Sequence, residues 1–475
     1  MAEARRVIQF LTMVMALVVR GGSAFAENAS TNHAFVRFFK IDPEVLAQPA
    51  VAALIERKLD VFLAETPRDG EAADFTVDGV GYLHMAALLG YPEFIGPLVE
   101  RGADINGVVA RGRITPLVVA ASVNKDACIR ELLDRGANLS MAMEDGTTAM
   151  HLAAKNGNRG LLDRLVRAGA DVQGAMNDGR TPLMIAAAVG SFEALTFLIE
   201  SGASLDAVDA KGRTALHYAS GKNHTDLVLE LLRRGADAEI MDRRGMTPLM
   251  SAAWGGSLPG VGALLNGGAR ADTVNESGYN ALAYALDDRL IYILDLLYDA
   301  GASVLTVDDD GDTLLHFAAK RNSPEVVAWL VERGVDINYQ NNNGVTALWR
   351  AVSDRSAGAA EALIKSGADV NTANFSGYTP VMICAGRGGM TGVMKALVEA
   401  GAEIQVTRAD NGQTALFSAA VFGGVEEVEL LLERGANMFW LLNNGGGLLE
   451  EAQSRTNFAT MVRLWGHGAR SGITG

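Results

Sequence analysis

The chain has 475 residues, of which 49% are apolar, and its 41 basic and 56 acidic residues give a formal net charge of −15. Such an acidic surface disfavours nucleic acid and anionic membranes as partners, because both carry the same sign of charge. Ordinary globular scaling would divide a chain of this length into several domains, but an internal repeat predicts a single elongated domain.

The first 26 residues are typical of a secretory signal peptide. Arg5 and Arg6 precede the apolar run Val7 to Val19, and Ala24-Phe25-Ala26 is a small-x-small cleavage site, which predicts cleavage after Ala26. A membrane anchor would need about 20 apolar residues, more than this run provides, and no later run approaches that length. We therefore expect a periplasmic or secreted protein with no membrane span after signal cleavage.

Residues 27–76 form an N-terminal segment, in which apolar residues recur at helical spacing between Glu44 and Glu65. A stack of repeats exposes its hydrophobic end unless that end is covered, so we interpret this segment as a helical cap. A degenerate thirteenth repeat is the alternative interpretation.

Beyond this segment a short pattern returns about every 33 residues, and nine of the eleven intervals between its anchor residues are 33. A fixed period of this size is typical of stacked supersecondary units. It predicts about twelve repeats over residues 77–469, followed by a tail at 470–475. Each repeat is named by the number of its anchor residue. The anchors are Leu83, Leu117, Met150, Leu183, Leu216, Leu249, Leu282, Leu315, Leu348, Val381, Leu416 and Leu449.

Repeat 183 illustrates the elements within each repeat. Thr181-Pro182 fits a helix start, with threonine as the cap and proline at the first helical position. Ala186-Ala187 lets neighbouring backbones approach closely, and Ala194 to Ile199 has the spacing of a second helix. Gly202 supplies a left-handed residue that ends this helix, and Asp178-Gly179 has turn chemistry. Each repeat therefore predicts a helix, a turn, a second helix and a hairpin-like loop.

The motif Thr-Pro-Leu-x-x-Ala-Ala, a later Leu-Leu and a closing Gly-Ala-Asp, at a 33-residue period, resemble the ankyrin repeat. The resemblance implies an all-α ankyrin-repeat solenoid that binds proteins without catalysing a reaction. It is uneven along the chain. Repeat 282 lacks Thr-Pro and has Tyr284-Ala285-Leu286 in place of the small residues. Repeat 449 has lost most of the opening signature, as a terminal cap would.

His84, His151, His217 and His316 each follow an anchor residue. The resemblance implies a structural role for them, in which the ring bonds neighbouring loop backbone. Their spread along the chain argues against a metal site, which needs three or four convergent ligands. The sequence also lacks a phosphate loop, a dinucleotide fingerprint and an evident nucleophile–base pair. We expect no cofactor, no metal site and no enzymatic activity.

The two cysteines, Cys128 and Cys384, lie eight repeats apart, too far along a stack to form a disulfide within one molecule. An exported protein without disulfides favours the bacterial periplasm over a vertebrate extracellular fluid.

The ankyrin resemblance implies partner binding through the hairpin tips and the exposed end of the first helix. At these positions several residues are charged or aromatic where the fold does not require it, and arginine and aromatic residues dominate binding hot spots. We expect a monomeric scaffold and a protein or peptide partner with an acidic segment, which lies against Arg213, Arg243 and Arg244. The candidate partner-binding residues are Arg213, Arg243, Arg244, Met246, Trp254, Tyr279, Phe375, Tyr378 and Phe422.

Two alternative functions stay open. The chain could be a secreted bacterial factor that acts on host proteins, and fractionating cells and medium would distinguish this from a periplasmic role. It could also be an enzyme or a ligand carrier that uses the concave groove. A convergent cluster of His, Asp or Cys would favour this last alternative.

Overall fold

The computed structural model of the chain describes residues 57, 59–65, 76–77, 80–108, 113–438, 448 and 458–466. The predicted signal peptide, residues 1–26, and the predicted tail, residues 470–475, lie outside the described residues. Of the predicted cap, the described part is chiefly the helix Leu59–Glu65, which packs against the helix Pro92–Glu100.

The described residues are almost entirely helical, with 24 α-helices and one antiparallel pair of two-residue strands, Thr76–Val77 and Val80–Gly81. The predicted all-α class is therefore confirmed. The chain divides into two compact units, the N-terminal unit Met1–Arg243 and the C-terminal unit Arg244–Gly475. Within each unit the fully described repeats each contribute a first and a second helix, and neighbouring first helices pack side by side.

In the N-terminal unit five repeats have both helices within the described residues. The first helices are Tyr82–Leu89, Pro116–Ser122, Ala149–Lys155, Pro182–Val189 and Ala215–Gly221. The second helices are Pro92–Glu100, Asp126–Asp134, Arg159–Arg167, Phe192–Glu200 and Thr225–Arg233.

In the C-terminal unit six repeats have both helices within the described part of the chain. The first helices are Pro248–Trp254, Ala281–Tyr284, Leu314–Arg321, Ala347–Ser353, Pro380–Arg387 and Ala415–Phe422. The second helices are Leu258–Asn266, Ile291–Asp299, Pro324–Glu332, Ala357–Lys365, Thr391–Glu399 and Val425–Glu433. Of repeat 449 the structure describes only Leu448 and the helix Phe458–Gly466.

The threonine at the start of the first helix is a cap, as predicted. In repeat 183 the Met184 N–H donates to the Thr181 hydroxyl at 3.4 Å, and Pro182 takes the first helical position, where its missing N–H has no partner to lose. The second helix ends at Glu200. Gly202, two residues later, has a left-handed φ of 90°, and the Ala203 N–H donates to the Leu198 carbonyl at 2.9 Å.

The histidines after the anchors link neighbouring repeats. In repeat 150 the Thr148 N–H donates to His151 Nδ1 at 3.3 Å, while the opposite ring nitrogen, Nε2, donates to the Arg180 carbonyl at 3.2 Å. His316 makes the equivalent bond to the Val345 carbonyl at 2.9 Å. Burial lowers the pKa of both rings, so they are neutral at pH 7. The predicted contact with loop backbone is confirmed for these two residues.

Candidate functional site

Repeat 282 departs from its neighbours because its first helix, Ala281–Tyr284, has four residues, whereas those of repeats 249 and 315 have seven and eight. The fully buried Leu286 occupies the position at which those repeats carry Ala253 and Ala319. Leucine needs more room between neighbouring backbones than alanine does. The helix ends two residues before this side chain.

The chain then forms a different turn from the one in neighbouring repeats. Seven residues after the anchor, Gly256 and Asn322 have positive φ values of 68° and 55°, but repeat 282 has Arg289, whose φ is not positive. Instead, the Asp287 carboxylate accepts the Arg289 N–H at 3.0 Å and caps the 3-10 turn Asp288–Leu290.

A groove of about 770 Å³ lies beside the short helix in the C-terminal unit. Four rings line it, and we name it the aromatic groove, defined by Trp254, Tyr279, Tyr284 and Phe317. Trp254 stacks on Tyr284 with centroids 5.8 Å apart and planes at 23°. Tyr279 stands edge-on to Tyr284 at 6.3 Å and to Phe317 at 5.3 Å. These offset and edge-to-face geometries are the favoured ones for aromatic pairs.

Hydrogen bonds hold the two tyrosines in place. The Tyr279 hydroxyl donates to the Asp308 carboxylate at 3.1 Å, and the Asn275 side-chain amide donates to the Tyr284 hydroxyl oxygen at 2.9 Å. Burial, together with Asp308, raises the pKa of Tyr279 to about 12, so the hydroxyl keeps its proton. Trp254 is 66% exposed. The floor of the groove is thus fixed, while the indole is accessible.

Three cations, Arg289, Lys320 and Arg321, line the groove with the aromatic rings, and we name them the basic rim. Arg289 donates two bonds to Asp287, at 2.9 and 2.8 Å, and this contact lowers the pKa of Asp287 to about 2. Arg321 donates to the Leu286 carbonyl at 3.3 Å. The Lys320 ammonium is exposed and forms no ion pair with any residue that the structure describes.

Asp288, next to Asp287, does not line the groove. Its carboxylate accepts the Val326 N–H of the next repeat at 3.2 Å. Burial and the neighbouring Glu325 raise the pKa of Asp288 to about 6. Among the described residues that line the groove, Asp287 is the only carboxylate, and Arg289 already pairs with it.

Arg213, the candidate in repeat 216, is held by its own repeat. Its guanidinium lies 4.5 Å from the ring centroid of Tyr218, and donates to the Asp209 carboxylate at 2.8 Å and to the Tyr218 hydroxyl oxygen at 2.5 Å. The Asp209 side chain is only 2% exposed. A partner carboxylate would therefore compete with a buried internal one for the Arg213 charge.

The other predicted arginines lie on a hairpin. Arg243 and Arg244 are exposed and Met246 is half-buried. Arg243 belongs to the N-terminal unit, and its N–H donates to the Lys211 carbonyl at 2.8 Å. Arg244 and Met246 belong to the C-terminal unit.

The predicted aromatic residues of repeats 381 and 416 line no part of the groove. Phe375 is 74% exposed, and its ring lies against the face of Gly344. Tyr378 is covered by the Arg408 guanidinium, 3.9 Å from the ring centroid, which also donates to its hydroxyl oxygen at 2.6 Å. Phe422 is 54% exposed. Of the nine candidates, the structure brings only Trp254 and Tyr279 together in the groove.

Sequence reasoning missed Tyr284, Phe317 and the basic rim. The two rings lie two positions after their anchors, a position not considered as a contact position. The signal was present in the sequence, since repeat 282 has Leu286 in place of the second small residue and lacks the glycine or asparagine seven residues after the anchor.

The described part of the chain contains no group of three or more His, Cys, Asp or Glu residues placed to hold a metal ion. Cys128 and Cys384 are buried, and burial raises the pKa of each thiol to about 12, so neither is a thiolate at neutral pH. None of its helices has the length and apolarity needed to cross a membrane.

Comparison with protein families agrees with the helix pairs. The family model for ankyrin repeats (three copies) matches residues 83–175, 151–242, 221–308, 291–374 and 359–439. The chain belongs to the ankyrin repeat family. The irregular first helix of repeat 282 lies within the matched range 221–308, so the groove is a local departure within an ankyrin array.

Two curated proteins are similar to stretches of this ankyrin chain. The B-cell lymphoma 3 protein homolog of Mus musculus is 36% identical over 80 residues, which are 17% of this chain and 18% of that protein. The putative ankyrin repeat protein FPV031 of Fowlpox virus (strain NVSL) is 34% identical over 91 residues, 19% of this chain and 27% of that protein. The chain thus spans well under a third of either relative.

Proposed function

We propose that this ankyrin repeat protein is a non-catalytic scaffold that binds a protein or peptide partner in the aromatic groove of its C-terminal unit. The observation that carries the proposal is the interruption of the first helix of repeat 282 beside the exposed indole of Trp254. Tryptophan, tyrosine and arginine in a concave site are typical of binding hot spots. Tyr279 is half-buried and its raised pKa keeps the hydroxyl neutral, which supports binding rather than proton transfer.

We also propose that the scaffold acts outside the cytoplasm, in the periplasm or the medium. The support is the sequence of residues 1–26, with a basic start, an apolar run and a small-x-small site ending at Ala26. The test is expression of the full chain in a bacterium, followed by fractionation and mass measurement. We expect a periplasmic or secreted product that begins at Glu27. An intact chain in the cytoplasm would contradict the proposal.

The test of groove binding uses the full chain and a displayed library of random peptides. We expect enrichment of peptides whose affinity falls at least about tenfold in Trp254→Ala, since truncating an aromatic hot spot typically costs 2 kcal/mol or more. The matched control is Tyr292→Ala, which removes a 75% exposed ring from the second helix of the same repeat. Binding unchanged in Trp254→Ala, or weakened equally in Tyr292→Ala, would place the site elsewhere.

A further inference from the structure

We propose, building on the function proposed above, that the aromatic groove takes a peptide segment in which an aromatic side chain is followed on one side only by carboxylates. The aromatic side chain stacks on Trp254, and the carboxylates, on one side of it along the peptide, lie against the basic rim. The peptide residues on the other side of the aromatic residue lie toward the hairpin of repeat 315, and none of them is acidic.

The preference for an aromatic anchor comes from the floor of the groove. One face of Trp254 is occupied by Tyr284, yet the residue is 66% exposed, so the indole offers further stacking surface. Tyr279 and Phe317 stand edge-on to each other at 88° and line the same groove. A volume of about 770 Å³ admits several side chains rather than one. A ring gains both buried area and favourable geometry in such a site.

The preference for carboxylates comes from the rim. Arg289, Lys320 and Arg321 bring three positive charges to the groove, against the single negative charge of Asp287. The Arg289 side chain is 87% exposed, and its contact with Asp287 leaves guanidinium donors for a second carboxylate. The chain as a whole carries −15, so an acidic segment is repelled by most of the surface and attracted at this rim.

The one-sided arrangement follows from the hairpin beside Tyr279. Asp308 accepts the Tyr279 hydroxyl, and the next two residues, Asp309 and Asp310, are exposed on the same loop. Like charges brought together at an interface are unfavourable. An acidic residue is therefore excluded at the Tyr279 end of the groove and favoured at the Lys320 end, which fixes the direction of the bound segment.

The experiment takes an enriched peptide from the library and measures its affinity for the full chain by titration calorimetry. In the variant Arg289→Gln/Lys320→Gln we expect about tenfold weaker binding for each charge removed, as for charge-assisted hydrogen bonds. We also expect the affinity of the unaltered chain to fall with salt, and this dependence to flatten in the variant. The control, Lys365→Gln/Lys395→Gln, removes the same charge from exposed positions of second helices and leaves the affinity unchanged.

The outcomes separate this inference from the function on which it rests. Peptides that depend on Trp254 but carry no acidic residues, or carry them on both sides of the ring, would overturn the inference and leave the scaffold function standing. A library without any peptide dependent on Trp254 would overturn both. Indole-3-acetate is a small probe with the same chemistry, and binding of it as tight as that of the peptide would replace the peptide with a small-molecule ligand.

Discussion

Repeats 216 and 282 differ in the hydrogen bonds made by side chains at three equivalent positions. These positions lie seven and three residues before the anchor and two residues after it. These positions hold Asp209, Arg213 and Tyr218 in repeat 216, and Asn275, Tyr279 and Tyr284 in repeat 282. In both repeats the hydroxyl of the tyrosine after the anchor bonds the side chain seven before it, at 2.7 and 2.9 Å.

The residue three before the anchor decides the difference. Arg213 donates to both of its partners, so the three polar side chains of repeat 216 satisfy one another. Tyr279 bonds the next repeat instead and stands edge-on to Tyr284. The polar side chains of repeat 216 therefore bond one another, whereas repeat 282 leaves aromatic surface in the groove where we propose that the partner binds. Residue type at a variable position predicts a binding site only together with the partners that surround it.

The largest expected effect comes from removing the residue seven before the anchor in each repeat. In Asp209→Ala the guanidinium of Arg213 loses its buried carboxylate, and we expect a loss of about 2–4 kcal/mol in the free energy of unfolding. In Asn275→Ala only neutral partners are lost, and we expect about 1–2 kcal/mol. Hydrogen exchange of amides in each repeat, with urea unfolding of the chain, measures both.

The double variant Asp209→Ala/Arg213→Ala provides the control. If the unpaired guanidinium is the main cost, this variant is less destabilised than the sum of its two single variants. Equal losses in Asp209→Ala and Asn275→Ala, or strict additivity in the double variant, would show that charge does not distinguish the two repeats.

Restoring the regular sequence pattern in repeat 282 should change stability less, but it should lengthen the first helix and weaken peptide binding in the groove. Leu286→Ala/Arg289→Gly returns the small residue of the helix and the left-handed glycine. We expect the first helix to extend beyond Tyr284, with slower hydrogen exchange at residues 285–288. Stability should change by no more than about 1 kcal/mol, and peptide affinity should fall further than in Arg289→Gln.

Failure of the helix to extend gives a different and measurable result. Truncating a fully buried leucine without repacking leaves a cavity, which costs about 2–5 kcal/mol. A loss of that size, with exchange at residues 285–288 unchanged, would mean that Leu286 is not what ends the helix.

Most of the fold could be predicted because it depends on local chemistry repeated in register. The Thr181-Pro182 cap, the left-handed Gly202 and the helix pairs follow from the sequence and are found as expected. The sequence shows the irregular residues of repeat 282 but does not predict the short helix Ala281–Tyr284. We infer that its end depends on how Leu286 packs beside a neighbouring helix, a tertiary property that spacing along the chain does not reveal.

The site could be predicted only in part. Trp254 and Tyr279 could be predicted, because counting from the anchor identifies the positions near the hairpins and helix ends. Both residues lie in the groove. Phe317 was missed, because it lies inside the first helix of repeat 315, where the repeat pattern predicts a structural role. Its place in the groove is beside the short first helix of repeat 282. The acceptor of Arg213 was missed for a related reason, since the sequence does not tell that Asp209 is buried and already bonded.

The four-residue helix also affects the cooperativity with which the C-terminal unit unfolds. It packs closely against Pro248–Trp254 but only lightly against Leu314–Arg321. In a linear array each repeat is stabilised by its interfaces with its neighbours. We therefore expect the weak interface between repeats 282 and 315 to allow a partly unfolded intermediate, in which one side is folded and the other is not. A peptide bound in the groove would contact repeats on both sides of this interface. We therefore expect peptide binding to make the unfolding of this unit more cooperative.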